Sequence, residues 1–319
     1  MLRRIAVIAA LAFAQNAFAQ GYPNRPINMV VGFAPGGSTD TVARVIAKKL
    51  ADNLGQNVLV DNKAGAGGVV ATQQVARSAP DGYTILLGTI GSLAVAPHLI
   101  AKLPYDPLRD LAPITMAVVF SNVLVVHPSL PAKTLAEFVQ LAKASPGKIG
   151  YGSSGIGGTG HLAGAMFALT AGIDIVHVPY KGGGPAMNDL LGGQIEVIMG
   201  TPVTALPHIK AGKIRAIATT GATRAALMPD VPTVAESGYP GFEAINWYAF
   251  LAPARTPKDI IARLNRDLVQ VLSAPDVREQ LHQHGVEAKP GTPEELTKYM
   301  ERELATWGRV VKAAKIQAN

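Results

Sequence analysis

The 319-residue sequence contains no cysteine. That absence excludes disulfides, thiolate metal sites and thiol catalysis. A chain of this length needs no covalent staple, because it can bury enough apolar surface for two cores. After the N-terminus, no stretch reaches the roughly 18 continuous apolar residues of a membrane helix. No glycine-rich loop ends in Gly-Lys-Ser/Thr, and no G-x-S-x-G elbow occurs. The P-loop and the hydrolase elbow are therefore missing. No run mixes basic residues with aromatics, which argues against nucleic acid as a partner.

What is present begins with a processing signal. Arg3 and Arg4 precede the apolar run from Ile5 to Phe13, and Ala17-Phe18-Ala19 forms a small-x-small cleavage site. The pattern predicts a signal peptide over 1–19, a mature start at Gln20, and periplasmic export. The formal charge is +7; without Arg3 and Arg4, 27 basic residues face 22 acidic ones, or +5. The excess is scattered, so it reads equally as weak attraction for anionic solutes or as ordinary solubility charge.

Short β-rich runs alternate with amphipathic helical runs, which predicts an α/β fold with mostly parallel sheets flanked by helices. One unit reads as a strand at Ile27–Phe33, a helix at Thr41–Leu54, and strands at Asn57–Val60 and Tyr83–Gly88. A second unit opens at Thr134-Leu135-Ala136-Glu137, a capping box. It continues with strands at Ile149–Gly152, Ile175–Val178, Ile195–Met199 and Ile214–Thr219. Helices follow from Thr256-Pro257 and from a second capping box at Thr292–Glu295. The apolar segments Ile114–Val126 and Ile245–Pro253 are each long enough to run from one sheet to the other. Two crossings divide the chain into lobe 1 (20–121 and 248–319) and lobe 2 (122–247), joined by a double hinge that can close on a ligand.

Two loops carry the clearest chemistry. Phe33-Ala34-Pro35-Gly36-Gly37-Ser38-Thr39-Asp40 joins a strand to a helix. Its glycines permit positive φ, and Ser38, Thr39 and Asp40 are good N-cap types. The helix behind it leaves N–H groups unpaired, which makes an anion site if a cleft exposes them and a plain capped turn if not. Gly152 to His161 repeats the arrangement with Ser153, Ser154 and Thr159 hydroxyls and the Gly158 amide. Facing each other, the two loops would hold the ends of an extended anion such as a dicarboxylate. Gly155-x-Gly157-x-x-Gly160 imitates the dinucleotide fingerprint, but Asp174 comes too early for the required acid.

Further candidates flank these loops. Thr89 and Ser92 lie just past a strand, where open α/β sheets bind ligands. Tyr180 can donate a hydrogen bond. Lys181 either balances an anion or is an exposed lysine on a glycine turn. Trp247 and Tyr248 lie in the second crossing segment, as hinge packing or facing the cleft. Ser153 or Ser154 with His161 would be the minimal nucleophile and base of an exported serine hydrolase, but no orienting third group is evident. His282 and His284 are two residues apart and so fall on different helix faces, unsuited to a metal. Replacing Ser38 or Asp40 by alanine is expected to weaken binding and spare the fold.

At these residues the sequence resembles the Bug family, the TctC-like substrate-binding proteins of tripartite tricarboxylate transporters. The resemblance runs through Tyr22–Pro26, Phe33–Asp40, Asn62–Gly68, Ala79–Tyr83, Leu103–Asp106, Val178–Gly184, Pro232–Glu236 and Trp247–Pro253. It implies a type II periplasmic-binding-protein fold and a non-enzymatic, monomeric receptor. It also implies no cofactor and no metal, with transporter membrane subunits as partners. Delivery to a sensor kinase is the alternative role. By the same match, Phe33, Ala34, Gly37, Ser38, Thr39 and Asp40 form one carboxylate grip, and Ser153, Ser154, Gly158 and Thr159 the other. Family ligands include di- and tricarboxylates, acidic amino acids and aromatic carboxylates. Where the family commonly carries Met-Phe-Asp, this chain reads Met199-Gly200-Thr201. That weakens the case for an amino-acid ligand and for Thr201 as a contact.

Overall fold

The computed structural model describes residues 21–313, so the expected signal peptide lies outside the described residues. The first part of the chain forms β1 (Ile27–Val31), α1 (Ser38–Leu54), β2 (Val58–Asn62), α2 (Val69–Ala76) and β3 (Thr84–Thr89). A π-helical turn at Gly91–Val95 leads into the short α3 (Ala96–Leu99). The long strand β4 (Leu111–Ser121) is followed by Asn122 alone, and β5 (Val123–Val126) starts the second sheet.

The middle part holds α4 (Leu135–Ala144), β6 (Gly150–Ser153), α5 (Thr159–Ala171), β7 (Val176–Pro179), α6 (Gly183–Leu191), β8 (Val197–Gly200), α7 (Pro202–Lys210) and β9 (Arg215–Thr219). The chain then returns to the first sheet as β10 (Ile245–Pro253). It closes with α8 (Lys258–Ser273), α9 (Pro275–Gln283), β11 (Glu287–Ala288) and α10 (Pro293–Ala313).

The first sheet runs β11-β4-β10-β3-β1-β2 and the second β7-β6-β8-β5-β9. Both are mixed. The pairs β1–β2, β1–β3, β6–β7 and β6–β8 are parallel. Every pair made by β4, β5 or β10 is antiparallel. This is less parallel than expected, because the strands that carry the chain between sheets run against their neighbours. β10 also lies wholly in the first sheet, from Ile245 on.

Side-chain alternation explains the layering. In the first sheet Ile27, Met29, Val31, Ile85, Leu87, Tyr248 and Phe250 turn to one face, against α1 and α8. Val30, Leu86, Trp247, Ala249 and Leu251 turn to the other, against α2 and α10. The second sheet is divided likewise: Leu124, Val126, Tyr151, Val197 and Met199 meet α4 and α5. Val123, Val125 and Ile198 meet α6 and α7. The stripe Leu264, Leu268, Val271 and Leu272 seats α8 on the first sheet. Truncating the fully buried Leu268 to alanine would cost about 2–5 kcal/mol.

Thr220 ties the two crossings together. Its hydroxyl accepts from Asn122 N–H at 2.8 Å and donates to the Ala244 carbonyl at 2.7 Å. The cleft between the units is closed in this structure. Ala34 N–H donates to the Lys181 carbonyl at 3.1 Å, and Val203 of α7 packs into the first unit's core. Gly67 and Gly91 lie so close to the Ile156 and Gly157 carbonyl oxygens that neither has room for a Cβ.

Candidate functional site

Helix α1 begins at Ser38, three residues earlier than the spacing predicts. Its N-cap is Gly37, extended (φ −86°, ψ 175°), with no side-chain cap. Helices α5 and α6 also start at glycines without side-chain caps, Gly158 extended (φ −70°) and Gly182 at φ +151°. Ser38, Thr39 or Asp40 was expected to cap α1; Gly37 does so instead. The difference matters, because an uncapped helix leaves its first N–H groups free for a ligand.

The three starts converge. One small cavity is lined by Gly37, Ser38 and Thr39 from α1, Thr159 from α5 and Gly183 from α6, together with Phe33, Thr89, Ser154 and Tyr248. Each helix N-terminus carries about half a positive charge. No ionisable acid or base lines the cavity apart from the Tyr248 phenol, which burial pushes above its ordinary value. Tyr248 and Ser38 share a hydrogen bond at 2.6 Å. Thr89 is only 3% exposed, and its Oγ1 has no partner. A buried orphan hydroxyl beside three helix N-termini is unfavourable unless something completes it.

A water-sized sphere can move its centre through about 10 Å³ of this inner cavity, the room of roughly one water. Phe33 and Ser154 also line a larger outer pocket, about 200 Å³ by the same measure. Gly32, Ala66, Ile156, Pro179, Tyr180 and Lys181 contribute to its walls. The Tyr180 hydroxyl donates to Asp189 at 2.7 Å, and burial together with that carboxylate pushes its pKa up to about 12. Lys181 is exposed at the mouth.

Other candidates serve the loops without lining either cavity. Asp40 is buried. Burial alone would raise its pKa, but hydrogen bonds from Arg44 and from Gly36 N–H (3.0 Å) outweigh that and hold it below the usual carboxylate value. It braces the first loop, where Gly36 takes φ +78°. Ser92 donates to the Thr89 carbonyl at 3.4 Å. Thr201 is the N-cap of α7, and its hydroxyl faces that of Thr204. Trp247 is fully buried against α10, where its indole donates to Glu303 at 3.0 Å. Its neighbour Tyr248, on the opposite face of β10, is the residue that reaches the cavity.

Ser153 is buried behind the second loop. Its Oγ lies 2.6 Å from His177 Nε2 and accepts from Gly155 N–H at 3.1 Å. The His177 ring stacks on His161 at 4.0 Å. His161 Nδ1 accepts from Gly157 N–H at 3.1 Å, which places the neutral ring's proton on Nε2. Burial lowers the His161 pKa to about 4. Burial and then the neighbouring His161 lower that of His177 to about 3. The two rings thus brace the loop as neutral groups. Among the described residues no carboxylate is hydrogen-bonded to His177, so the Ser153–His177 pair lacks an orienting acid.

The family model described as the tripartite tricarboxylate transporter family receptor, TctC, matches residues 42–316. The chain belongs to this family. It is 41% identical over 317 residues to protein BugT of Bordetella pertussis (strain Tohama I), covering 98% of this chain and 97% of BugT. Among solved structures, TctC-family resemblance extends to the periplasmic binding protein BugD. That match has a TM-score of 0.90 and 38% identity over 93% of this chain and all of BugD. The R. palustris protein Rpa4515, solved with adipate, is similar at a TM-score of 0.90 and 35% identity, over 93% of this chain and 99% of Rpa4515. Among the described residues, no helix of this TctC-family receptor is long and apolar enough to cross a membrane.

Proposed function

We propose that this chain is exported to the periplasm by cleavage of residues 1–19, captures a small carboxylate between its lobes, and delivers it to the membrane subunits of a tripartite tricarboxylate-type transporter. The lobes are 20–121 with 245–319, and 122–244, because β10 pairs within the first sheet from Ile245 on. The protein works as a monomer and is not an enzyme.

The reading is carried by the convergence of three uncapped helix N-termini on one cavity that holds hydroxyls, no cationic side chain, and the orphan Thr89 Oγ1. Fixed dipoles and neutral donors stabilise a carboxylate without an ion pair that must later be broken. The cavity-lining residues Phe33, Gly37, Ser38, Thr39, Thr89, Ser154, Thr159 and Tyr248 meet the ligand. Ala34, Asp40, Ser92, Ser153, Gly158 and Thr201 shape the loops around it. Adipate in the related R. palustris protein supports a carboxylate as cargo. The hydrolase alternative names Ser153 or Ser154 with His161; here His161 accepts from Gly157 N–H and stacks on His177, and the serine hydroxyl within reach of a ring is Ser153 on His177, away from the cavity that Ser154 lines.

A thermal-shift screen of the chain from Gln20 against small carboxylates tests the proposal. A ligand at 100 times its Kd adds about 2.7 kcal/mol, or a few degrees in Tm. A panel without any shift would sink it.

A further inference from the structure

We propose that the first unit carries a second anion site outside the cargo cleft, a basic pocket at the far end of its sheet where Arg77, Arg109 and Arg255 take a phosphate group. The inference does not rest on carboxylate capture, because this pocket shares no lining residue with the inner cavity or the outer pocket.

Arg77 follows α2, Arg109 precedes β4 and Arg255 follows β10. Far apart in sequence, the three line one pocket together with Asp110 and Pro253. A water-sized sphere moves its centre through about 450 Å³ there, many times the room of one water. Strand β10 sets the separation from the cargo site. Tyr248 reaches the inner cavity, and Pro253, opposite Leu111, lies at the basic pocket. Five extended residues place the two about 17 Å apart. Every wall of the pocket belongs to the first unit, so it is present whether the cleft is open or closed.

The charges in the pocket are out of balance. Arg109 donates to both oxygens of Asp110, at 2.8 and 2.9 Å, and Asp106 N–H adds a third bond to that carboxylate. Those bonds, Arg109's first, hold the Asp110 pKa below the usual carboxylate value, so Asp110 stays ionised and committed to Arg109. Arg77 has a neutral partner: with its amide oxygen turned toward the guanidinium, Gln73 accepts from both terminal nitrogens at 2.9 and 3.0 Å. That contact orients Arg77 without neutralising it. Arg77 also stands at the C-terminal end of α2, whose negative charge of about half a unit still leaves the pocket positive. Arg255 is exposed and, among the described residues, has no side-chain partner. Three guanidiniums thus face one carboxylate, and like charges gathered in one pocket repel unless an anion joins them. Planar guanidinium forks match phosphate oxygens two at a time. A tetrahedral phosphate offers oxygens to several arginines at once, whereas a carboxylate has two in one plane.

Calorimetric titration of the chain from Gln20 with pyrophosphate at low salt tests the site. Pyrophosphate should bind saturably, and Arg77→Gln/Arg255→Gln should weaken it about tenfold to 100-fold, as loss of hydrogen bonds to a charged ligand does. Arg77→Lys/Arg255→Lys keeps the charge and loses the forks, so it should fall between the two. Lys143→Gln/Lys148→Gln removes the same charge from exposed positions on the second unit and should leave binding unchanged. No saturable binding up to about 10 mM, unaltered binding in the arginine-to-glutamine variant, or an equal loss in the lysine variant overturns the proposal. Acetate binding that the arginine variant weakens as much as pyrophosphate binding overturns the phosphate assignment. Flotation with phosphatidylglycerol vesicles, against phosphatidylcholine vesicles, separates the sources of the phosphate. Capture that the arginine variant loses assigns a lipid headgroup; pyrophosphate binding without capture assigns a soluble phosphate, and either supports the site.

Discussion

Replacing Gly91 by alanine puts one methyl group into the gap between the two units. Gly91 has backbone torsions open to any residue, so the change does not strain its own turn. The new Cβ would instead meet the Gly157 carbonyl oxygen well inside contact distance. That oxygen belongs to backbone on the opposite side of the cleft and cannot rotate away. The second loop must therefore retreat by roughly 1 Å, or the cleft must stay partly open. Overpacking of this kind costs about 1–3 kcal/mol. The cost falls on the closed state alone, so it appears as a smaller binding-competent fraction. Converted at about 1.4 kcal/mol per tenfold, ligand affinity should drop between about fivefold and 150-fold. The ligand-free protein, free to open, should keep its Tm. Calorimetric titration alongside thermal melts of the free chain measures both quantities. Unchanged affinity would refute the idea that binding needs this closed contact. Equal losses of affinity and of ligand-free stability would move the defect from the cleft to the fold.

Three further outcomes follow from the site. Thr89→Val removes the orphan hydroxyl at nearly constant volume, so the free protein should melt no lower, while affinity falls about tenfold to 100-fold through loss of a hydrogen bond to a charged ligand. Asp40→Ala should destabilise the free protein by about 1–3 kcal/mol as well as weaken binding, because it strands Gly36 N–H and Arg44. The depressed Asp40 pKa means its contribution is present at neutral pH and lost as pH falls through the carboxylate range, so the difference from wild type should shrink in acid melts. His161 and His177 remain neutral in the fold down to about pH 4 and 3, whereas unfolded histidine protonates near 6.5. Below about pH 6.5 stability should therefore fall by about 1.4 kcal/mol per pH unit for each ring, and a His161→Gln/His177→Gln variant should lose that slope in denaturant titrations across pH.

The sequence pattern revealed the elements better than it revealed their edges. Both capping boxes are formed as read: Glu137 N–H donates to Thr134 Oγ1 at 3.2 Å, and Glu295 N–H to Thr292 Oγ1 at 3.1 Å. Those motifs are local, and local chemistry is enough to form them. Helix α1 starts earlier than the periodicity suggests, because polar Ser38 and Thr39 lie inside its first turn and face the cavity. A helix turn that serves a ligand breaks the apolar rhythm by which it would be found. Asp40 does not lie on an exposed loop as expected: it is buried and bonded to Gly36 N–H and Arg44, so Asp40→Ala is expected to cost stability as well as binding.

Tyr248 shows a different limit. Alternation along β10 places it opposite Trp247, but which face meets the cleft is decided by the packing of α10 on the Trp247 side. The Trp247–Glu303 bond joins residues 56 positions apart, and no local signal announces it. Gly183 carries no local signal for a similar reason: it joins the cavity only because α6 lies opposite α1 across the cleft.

The inner cavity, with three helix N-termini and a ring of hydroxyls, should select a carboxylate anion. Titrating one carboxylate found to bind against its primary amide, which matches it in size and lacks the charge, tests this directly. The carboxylate should bind and the amide should be weaker by at least about 100-fold, since charge-assisted hydrogen bonds to several donors are lost at once. An amide that binds as tightly as the acid would contradict it.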